Sequence, residues 1–421
     1  FKDLILEILG FSYGQKAEEQ MALANIEAPS AQNYSTGEGI VVAVIDSGIR
    51  DHWYLKDRIA PGGWDFVDND NDPTDEISSY DSDGDGIYSE GWSHGTHVAG
   101  IVAQVAPNAK ILPIRVQDGD GGGWSFIVAE AIEYAVNNGA DVINLSLGVP
   151  CKSNDLKHAM KHAEENGVVV IAAAGNDNKG KLHYPAAYSS AAAVAALDNN
   201  GVKASFSNYN NAVKISAPGV NIYSAYGDGS FAWWSGTSQA TPMIAGEADL
   251  LLSLDPSLKP SKVRALIKKA AKDIKSLNPK HKNKLGGGLA DALKGVELAG
   301  ANLDIDDPDD DENSGESIHA PDALSNTVEL PTDPAMDNHG KSARVAENPA
   351  PSDAGDDTKH EPVDNKNGSL ADSKPTTDDG KSEEEAKAEQ EAKAKAEQEA
   401  EAKAEAKKAE KERKAKEKAE K

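Results

Sequence analysis

Residues 39–49 read G-I-V-V-A-V-I-D-S-G-I, an unbroken apolar run that ends on Asp46 and a glycine turn. A short Val/Ile-rich run with no polar alternation predicts a strand over Ile40–Ile45 that is buried on both faces. Four further runs share this character: Ile111–Val116, Asp141–Ser146, Val168–Ala174 and Ala191–Leu197. Helical spacing lies between them. Ser125–Asn138 repeats apolar residues at three- and four-residue intervals and stops at Asn138-Gly139; Asp155–Asn166 stops at Gly167. Pro242–Leu254 and Ser261–Ile274 read as later helices, the second with Ser261 as N-cap after Pro260. Buried strands alternating with helices predict an α/β fold of three layers: a central, mostly parallel sheet flanked by helices.

That pattern stops near residue 302. The chain has 421 residues and a net charge of −27, from 70 acidic and 43 basic side chains. Residues 1–300 hold 36 acidic and 25 basic ones, whereas 301–380 hold 21 and 5, and 381–421 hold 13 of each. Four segments are therefore expected: an N-terminal piece at 1–20, a folded domain at 21–302, an acidic linker at 303–380 and an Ala/Glu/Lys-rich tail at 381–421. The linker has too few large apolar residues to offset its chain entropy, so disorder is expected there. The tail (EAKAEQEAKAKAEQEAEAK and similar) has strong helix formers and Glu–Lys pairs four apart but no apolar seam, which predicts a single solvated helix. Phe1–Gly14 is only modestly amphipathic.

Composition also excludes some functions. The acidic balance argues against nucleic-acid binding, since phosphates would be repelled. No apolar run reaches the roughly 18 residues of a membrane span. A single cysteine, Cys151, rules out an intrachain disulfide and a cysteine-based zinc site. The chain starts at Phe1 rather than Met, as expected of a processed or truncated product.

Three segments carry chemistry. V-V-A-V-I-D-S-G-I puts Asp46 at the end of a buried strand; S-H-G-T-H-V-A-G puts His94 at the opening of a helix; S-G-T-S-Q-A-T-P puts Ser238 at a glycine turn that opens another. Pro242, early in that helix, is expected to cost no needed hydrogen bond. A serine is a poor nucleophile until a base takes its proton, and that base needs a buried carboxylate to fix its tautomer. Read singly, each residue has a plainer role: Asp46 as a turn residue, His94 as a capping group with His97 competing as base, Ser238 as an N-cap. Read jointly, they are the parts of a nucleophilic triad.

Taken in this order, the three segments resemble those of the subtilisin-like serine proteases, the subtilases, over about residues 21–300; the Asp…His…Ser order is subtilisin's own. A-A-A-G-N-D, S-A-P-G-V at Ser216–Val220 and Y-P-A-A-Y at Tyr184–Tyr188 are similar to further family segments. The resemblance implies a secreted serine endopeptidase that hydrolyses peptide bonds in proteins through an acyl-enzyme, works as a monomer and is made with an inhibitory pro-segment. It implies Ser238 as nucleophile, His94 as base, Asp46 as the acid that orients it, and Asn176 with the Ser238 backbone N–H as oxyanion donors. Substrate would lie extended between Gly121, Gly122, Gly123 on one side and Ser146, Leu147, Gly148 on the other, next to Gly175. Trp124 and Leu147 either line an apolar subsite or belong to the core. The primary pocket is expected at Gly175–Asp177 and His183–Ala186, with Asp177 and His183 making it polar. The competing class is a catalytically silent subtilase scaffold that only binds, which requires a broken triad; none is visible.

W-D-F-V-D-N-D-N-D-P-T-D-E gathers Asp65, Asp68, Asp70 and Asp72 in one segment, an oxygen-rich set suited to structural Ca²⁺. It resembles the calcium loop of thermitase-like subtilases. A second run, Asp81–Glu90, opens like an EF-hand loop but has Trp92 at its twelfth position, so it is either an incomplete site or a solvated acidic loop. His158 and His162 are spaced to grip a metal, yet no third ligand is visible. The family's strong-calcium insertion after His97 is missing. Gln239 stands where the family often has Met, and Met243 where many relatives have His, a position read here as packing.

Overall fold

The computed structural model describes residues 14–79, 81, 88–227, 229–301 and the pair 344–345. It divides the chain into residues 1–349 and 350–421; the second unit, the linker beyond residue 301 and the N-terminal piece before residue 14 lie outside the described residues.

Seven strands form one parallel sheet in the order β2-β3-β1-β4-β5-β6-β7. They are β1 (Val41–Asp46), β2 (Trp64–Asp65), β3 (Lys110–Arg115), β4 (Val142–Leu145), β5 (Val169–Ala173), β6 (Ala191–Leu197) and β7 (Val213–Pro218). β1, β4, β5 and β6 are buried almost throughout, which is why they read as continuous apolar runs. Successive residues face opposite cores. Ala43 and Ile45 join the core that includes Ile132, Ala135 and Met160; Val42 joins the one that includes Val102, Ile244 and Leu251. Helices α4 (Ser125–Asn137) and α5 (Asn154–Glu165) cover the first face. The second is covered by α3 (His94–Val105), α6 (Thr237–Leu254), α7 (Pro260–Ala270) and α8 (Ala292–Gly300), after two short helices, α1 (Met21–Asn25) and α2 (Ala28–Ala31). β8 (Ile222–Tyr226) and β9 (Ser230–Trp234) form an antiparallel hairpin that leads into α6, and β10 (Arg344–Val345) pairs along β9. This is the three-layer α/β architecture expected.

Strand order reverses at β1, with β3 on one side and β4 on the other. The crevice beyond the carboxyl ends of strands at such a reversal is where α/β sheets bind ligands. Asp46 ends β1 there.

Two helix boundaries differ from expectation. α7 begins at Pro260, whose fixed φ suits a first helical position, so Ser261 sits inside the helix and Lys259 precedes it without a side-chain cap. It ends at Ala270, because the chain then turns out and Lys272 pairs with Leu289. α6 begins at Thr237, five residues earlier than the apolar pattern suggested, since Gly236 breaks the preceding strand and the first turn contains the short polar residues Thr237, Ser238 and Gln239.

Candidate active site

Asp46 is fully buried at the end of β1. Its Oδ1 accepts the Ser47 backbone N–H at 2.8 Å and lies 2.7 Å from His94 Nδ1, while Oδ2 has no protein partner. His94 is the first residue of α3, and Gly95 lets that helix abut the Asp46 turn: a Cβ on Gly95 would sit 2.2 Å from the Gly48 carbonyl oxygen. Burial disfavours the His94 imidazolium. The charge and hydrogen bond of Asp46, with a further contribution from Asp75, outweigh that and raise its pKa above the ordinary value. His97 behaves in the opposite way. Burial pushes it down to about 3, and its Nε2 lies 3.2 Å from the Ala232 carbonyl, so it is neutral and structural rather than the base.

Ser238 is the second residue of α6. Its Oγ donates to the Ser146 carbonyl at 2.9 Å, and the Ser146 hydroxyl donates to the Ser238 carbonyl at 2.8 Å. Pro242 explains the second bond. Contrary to expectation it does cost a hydrogen bond: it is the sixth residue of α6 and has no N–H to give the Ser238 carbonyl, so Ser146 supplies the donor instead. The hydroxyl of Ser238 thus donates to Ser146 rather than to His94.

Asn176 is exposed at the crevice. Its Oδ1 accepts from Thr237 N and from the Thr237 hydroxyl, both at 2.9 Å. That fixes the amide so that Nδ2 faces Gly236, where an added Cβ would be 3.5 Å from both Asn176 Nδ2 and the Ser238 N–H. Both nitrogens thus lie beside Gly236, with Gln239 Oε1 2.7 Å from the same position. Two such donors are the groups that stabilising an oxyanion calls for.

Of the two segments expected to hold substrate, Ser146–Gly148 touches Ser238 through Ser146. Gly121–Gly123 packs near Gly91, with Gly123 bridged to Gln117, and Trp124 beside it is exposed rather than part of the core. Ser146–Gly148 follows β4, and Leu147 packs partly on the apolar core. His183 fills the space between Gly148 and Gly175: added Cβ atoms there would lie 2.9 Å from its Cβ and Cγ respectively. Its Nε2 is 2.6 Å from Asp177 Oδ2, so the expected primary pocket holds a polar pair.

Several residues around the site carry no distinct signal in the sequence. Asn208 is buried and organises the loop after β5, accepting from Asp177 N and Lys179 N. Trp234 stacks on His97 at 5.2 Å and lies 5.4 Å from the His94 ring, and Tyr226 links it edge-on to Trp92. Asp75 is fully buried beside the catalytic turn. Its only sequence signal is its place near the end of the acidic run, just before Glu76.

In that run Asp65 and Asp68 meet Arg115 Nη1 at 2.6 and 2.7 Å, with Glu76 at 3.5 Å. Asp70 and Asp72 are exposed and accept backbone N–H groups of their own loop. Among the described residues, no three or more His, Cys, Asp or Glu side chains converge as a metal site. Most of Asp81–Glu90 lies outside the described residues. His158 and His162 lie on α5, and Met243 is fully buried, as packing requires.

A buried acid against a histidine, a helix-borne serine and paired oxyanion donors at a sheet reversal define the hydrolase class with a nucleophilic serine. The subtilase family model matches residues 37–292, and the chain belongs to that family. It is similar to thermitase of Thermoactinomyces vulgaris, with 42% identity over 269 residues covering 61% of this chain and 90% of the relative. Subtilisin Savinase of Lederbergia lenta is 40% identical over 266 residues, covering 61% and 92%. Among solved structures, a protease of Pseudoalteromonas arctica superposes with a TM-score of 0.60 at 31% identity, covering 65% of this chain and 94% of that one. The protein is a subtilisin-like serine endopeptidase. Among the described residues, no helix is long and apolar enough to cross a membrane.

Proposed function

We propose that the domain at 21–302 cleaves peptide bonds in proteins by a Ser238–His94–Asp46 relay. Ser238 Oγ attacks the scissile carbonyl carbon as its proton passes to His94 Nε2. Asp46, bonded to Nδ1, holds that tautomer and stabilises the cation. Asn176 Nδ2 and the Ser238 N–H stabilise the oxyanion. The C–N bond then breaks, His94 gives its proton to the departing amine, and water releases the acyl group by the reverse sequence. The substrate backbone is read by Gly121–Gly123 and Ser146–Gly148, and the side chain before the cut enters at Gly175. The observation that carries this reading is the 2.7 Å contact between His94 Nδ1 and the buried Asp46 carboxylate.

Two approaches test it. A serine-reactive fluorophosphonate should label Ser238 alone, and Ser238→Ala should cut kcat by roughly 10⁶, the loss known for subtilisin's nucleophile. Casein hydrolysis that survives the substitution would mean another nucleophile.

Calcium fits the Asp65–Asp72 loop chemically. Asp65, Asp68, Asp70 and Asp72 are hard oxygen donors, and Asp70 and Asp72 stay outside the ion pairs that hold Asp65 and Asp68 on Arg115. The ion would be structural, held by these four residues, with no part in the bond-breaking steps. Secretion, an inhibitory pro-segment and a monomeric state complete the proposal. They are supported by the kinship with subtilisins and by no feature of the site.

A further inference from the structure

Asp75 is not part of the relay, yet it touches the segments that carry both its acid and its base. It is fully buried. Oδ2 accepts the Ser47 hydroxyl at 2.8 Å and the Ser93 backbone N–H at 2.5 Å. Ser47 follows Asp46 in the chain and Ser93 precedes His94. The Ser47 Oγ in turn accepts the Gly95 N–H at 3.1 Å, one residue beyond His94. A single carboxylate thus ties the turn carrying the acid to the helix start carrying the base, from a segment that belongs to neither. Ser93 has φ +69°, a left-handed conformation unfavourable for serine, and its hydroxyl accepts the Gly227 N–H. The N–H bond to Asp75 helps to hold that turn.

We propose that Asp75 is a positioning residue for the hydrolysis: it clamps the Asp46 turn to the His94 helix and sets a second negative charge behind the base. The proposal rests on the triad reading above. Its chemistry differs from that of Asp46, which touches the imidazole directly; Asp75 acts through Ser47, Ser93 and the field. Its Oδ1 has no protein partner, so the carboxyl is not consumed by a neutralising salt bridge. The charged and titratable groups that face it are Asp46, Arg115 beyond the β1 end and Tyr226 on β8; those that face His94 are Asp46, Asp75 and His97. Burial raises the Asp75 carboxyl to about 7, against the pull of the Ser47 and Ser93 hydrogen bonds. Its charge is therefore gained as pH rises through about 7.

Two substitutions separate clamp from charge. In Asp75→Asn the amide oxygen can accept both hydrogen bonds that Oδ2 accepts, while the charge is lost and an NH₂ group takes the place of Oδ1. In Asp75→Ala both are lost. Peptide hydrolysis by the full chain would be followed from pH 5 to 10, with circular dichroism for folding. For Asp75→Asn the acid limb of kcat/KM should move to lower pH by roughly 0.5 unit, because a charge that favours the imidazolium is gone, with KM unchanged. For Asp75→Ala kcat should fall by on the order of 100-fold, also with unchanged KM. An acid limb for Asp75→Asn that superimposes on the parent's would overturn the charge role; full kcat in Asp75→Ala would overturn the clamp. If the alanine variant does not fold, Ser47→Ala, which removes the hydroxyl that bridges Asp75 to the Gly95 N–H, tests the clamp instead: a kcat equal to the parent's would overturn it. Ser238→Ala in parallel keeps the two readings apart: activity surviving there sinks the triad, not Asp75.

Discussion

Ser146 and Ser238 exchange two hydrogen bonds, hydroxyl to carbonyl in each direction, at 2.8 and 2.9 Å. One ties the Ser238 backbone to the segment after β4; the other holds the Ser238 hydroxyl there. In the proposed relay the second must break for Ser238 to turn to His94, whereas the first can persist.

Ser146→Ala therefore has a specific expected outcome. The Ser238 carbonyl, already deprived of an intrahelical donor by Pro242, loses its replacement. A lost hydrogen bond of this kind is worth about 0.5–1.5 kcal/mol. Expressed in the transition state, the upper end is roughly a tenfold fall in kcat. Steady-state kinetics and a melting curve check it. An unchanged kcat with a lowered Tm would show that the bond serves stability only.

Asn176 offers a test of the oxyanion donors. Asn176→Leu keeps the volume and removes the amide, so kcat should fall by about 10²–10³ with little change in KM. The Thr237 N–H and hydroxyl lose their acceptor as well. Asn176→Asp separates the effects, because it keeps the acceptor for Thr237 and removes the donor. Equal losses in the two variants assign the effect to the donor; a much smaller loss in Asn176→Asp assigns it to the anchoring of Thr237.

How much of this was legible beforehand depended on the kind of interaction. The strands were readable because burial on both faces leaves an uninterrupted apolar signature, as in Val41–Ile45. The segments holding Asp46, His94 and Ser238 were readable because each is a local motif at an element end. Asp75 and Asn208 were not. Their roles are set by backbone N–H groups of residues distant in sequence, and nothing in D-N-D-P-T-D marks which aspartate turns inward. The Arg115 pairing with Asp65 and Asp68 was hidden for the same reason: it depends on β2 lying beside β3 in register. The consequence of Pro242 was hidden too, because position in the helix, not mere presence near its start, decides whether an N–H is missed.

Gln239 predicts tolerance of peroxide. It is buried next to Ser238, where methionine would place an oxidisable sulfur against the nucleophile. Met160 and Met243 are fully buried, and Met21, the exposed one among the described residues, lies on α1 away from the crevice. Activity should survive a peroxide dose that inactivates Gln239→Met. Equal loss in both proteins, with no sulfoxide at residue 239 by mass spectrometry, would place the sensitive group elsewhere.

Glu247 sets a limit at alkaline pH. It lies on α6 nine residues after Ser238, fully buried, with neither carboxylate oxygen paired to protein. Burial raises its pKa to about 8, and Asp291 adds to the effect. The folded state therefore holds a proton that the unfolded chain releases near its ordinary value of 4.5. Where the unfolded state binds fewer protons, stability falls as pH rises. The contribution is thus undiminished below about pH 4.5, declines between there and about pH 8, and stays lost above that, at up to about 1.4 kcal/mol per pH unit within the window. Glu247→Gln removes this dependence while keeping the shape beside Gly295. The melting temperature of the variant should match the parent's in acid, exceed it progressively up to about pH 8 and keep that lead to pH 9. A gap that stays constant across that range would mean that Glu247 does not titrate on unfolding.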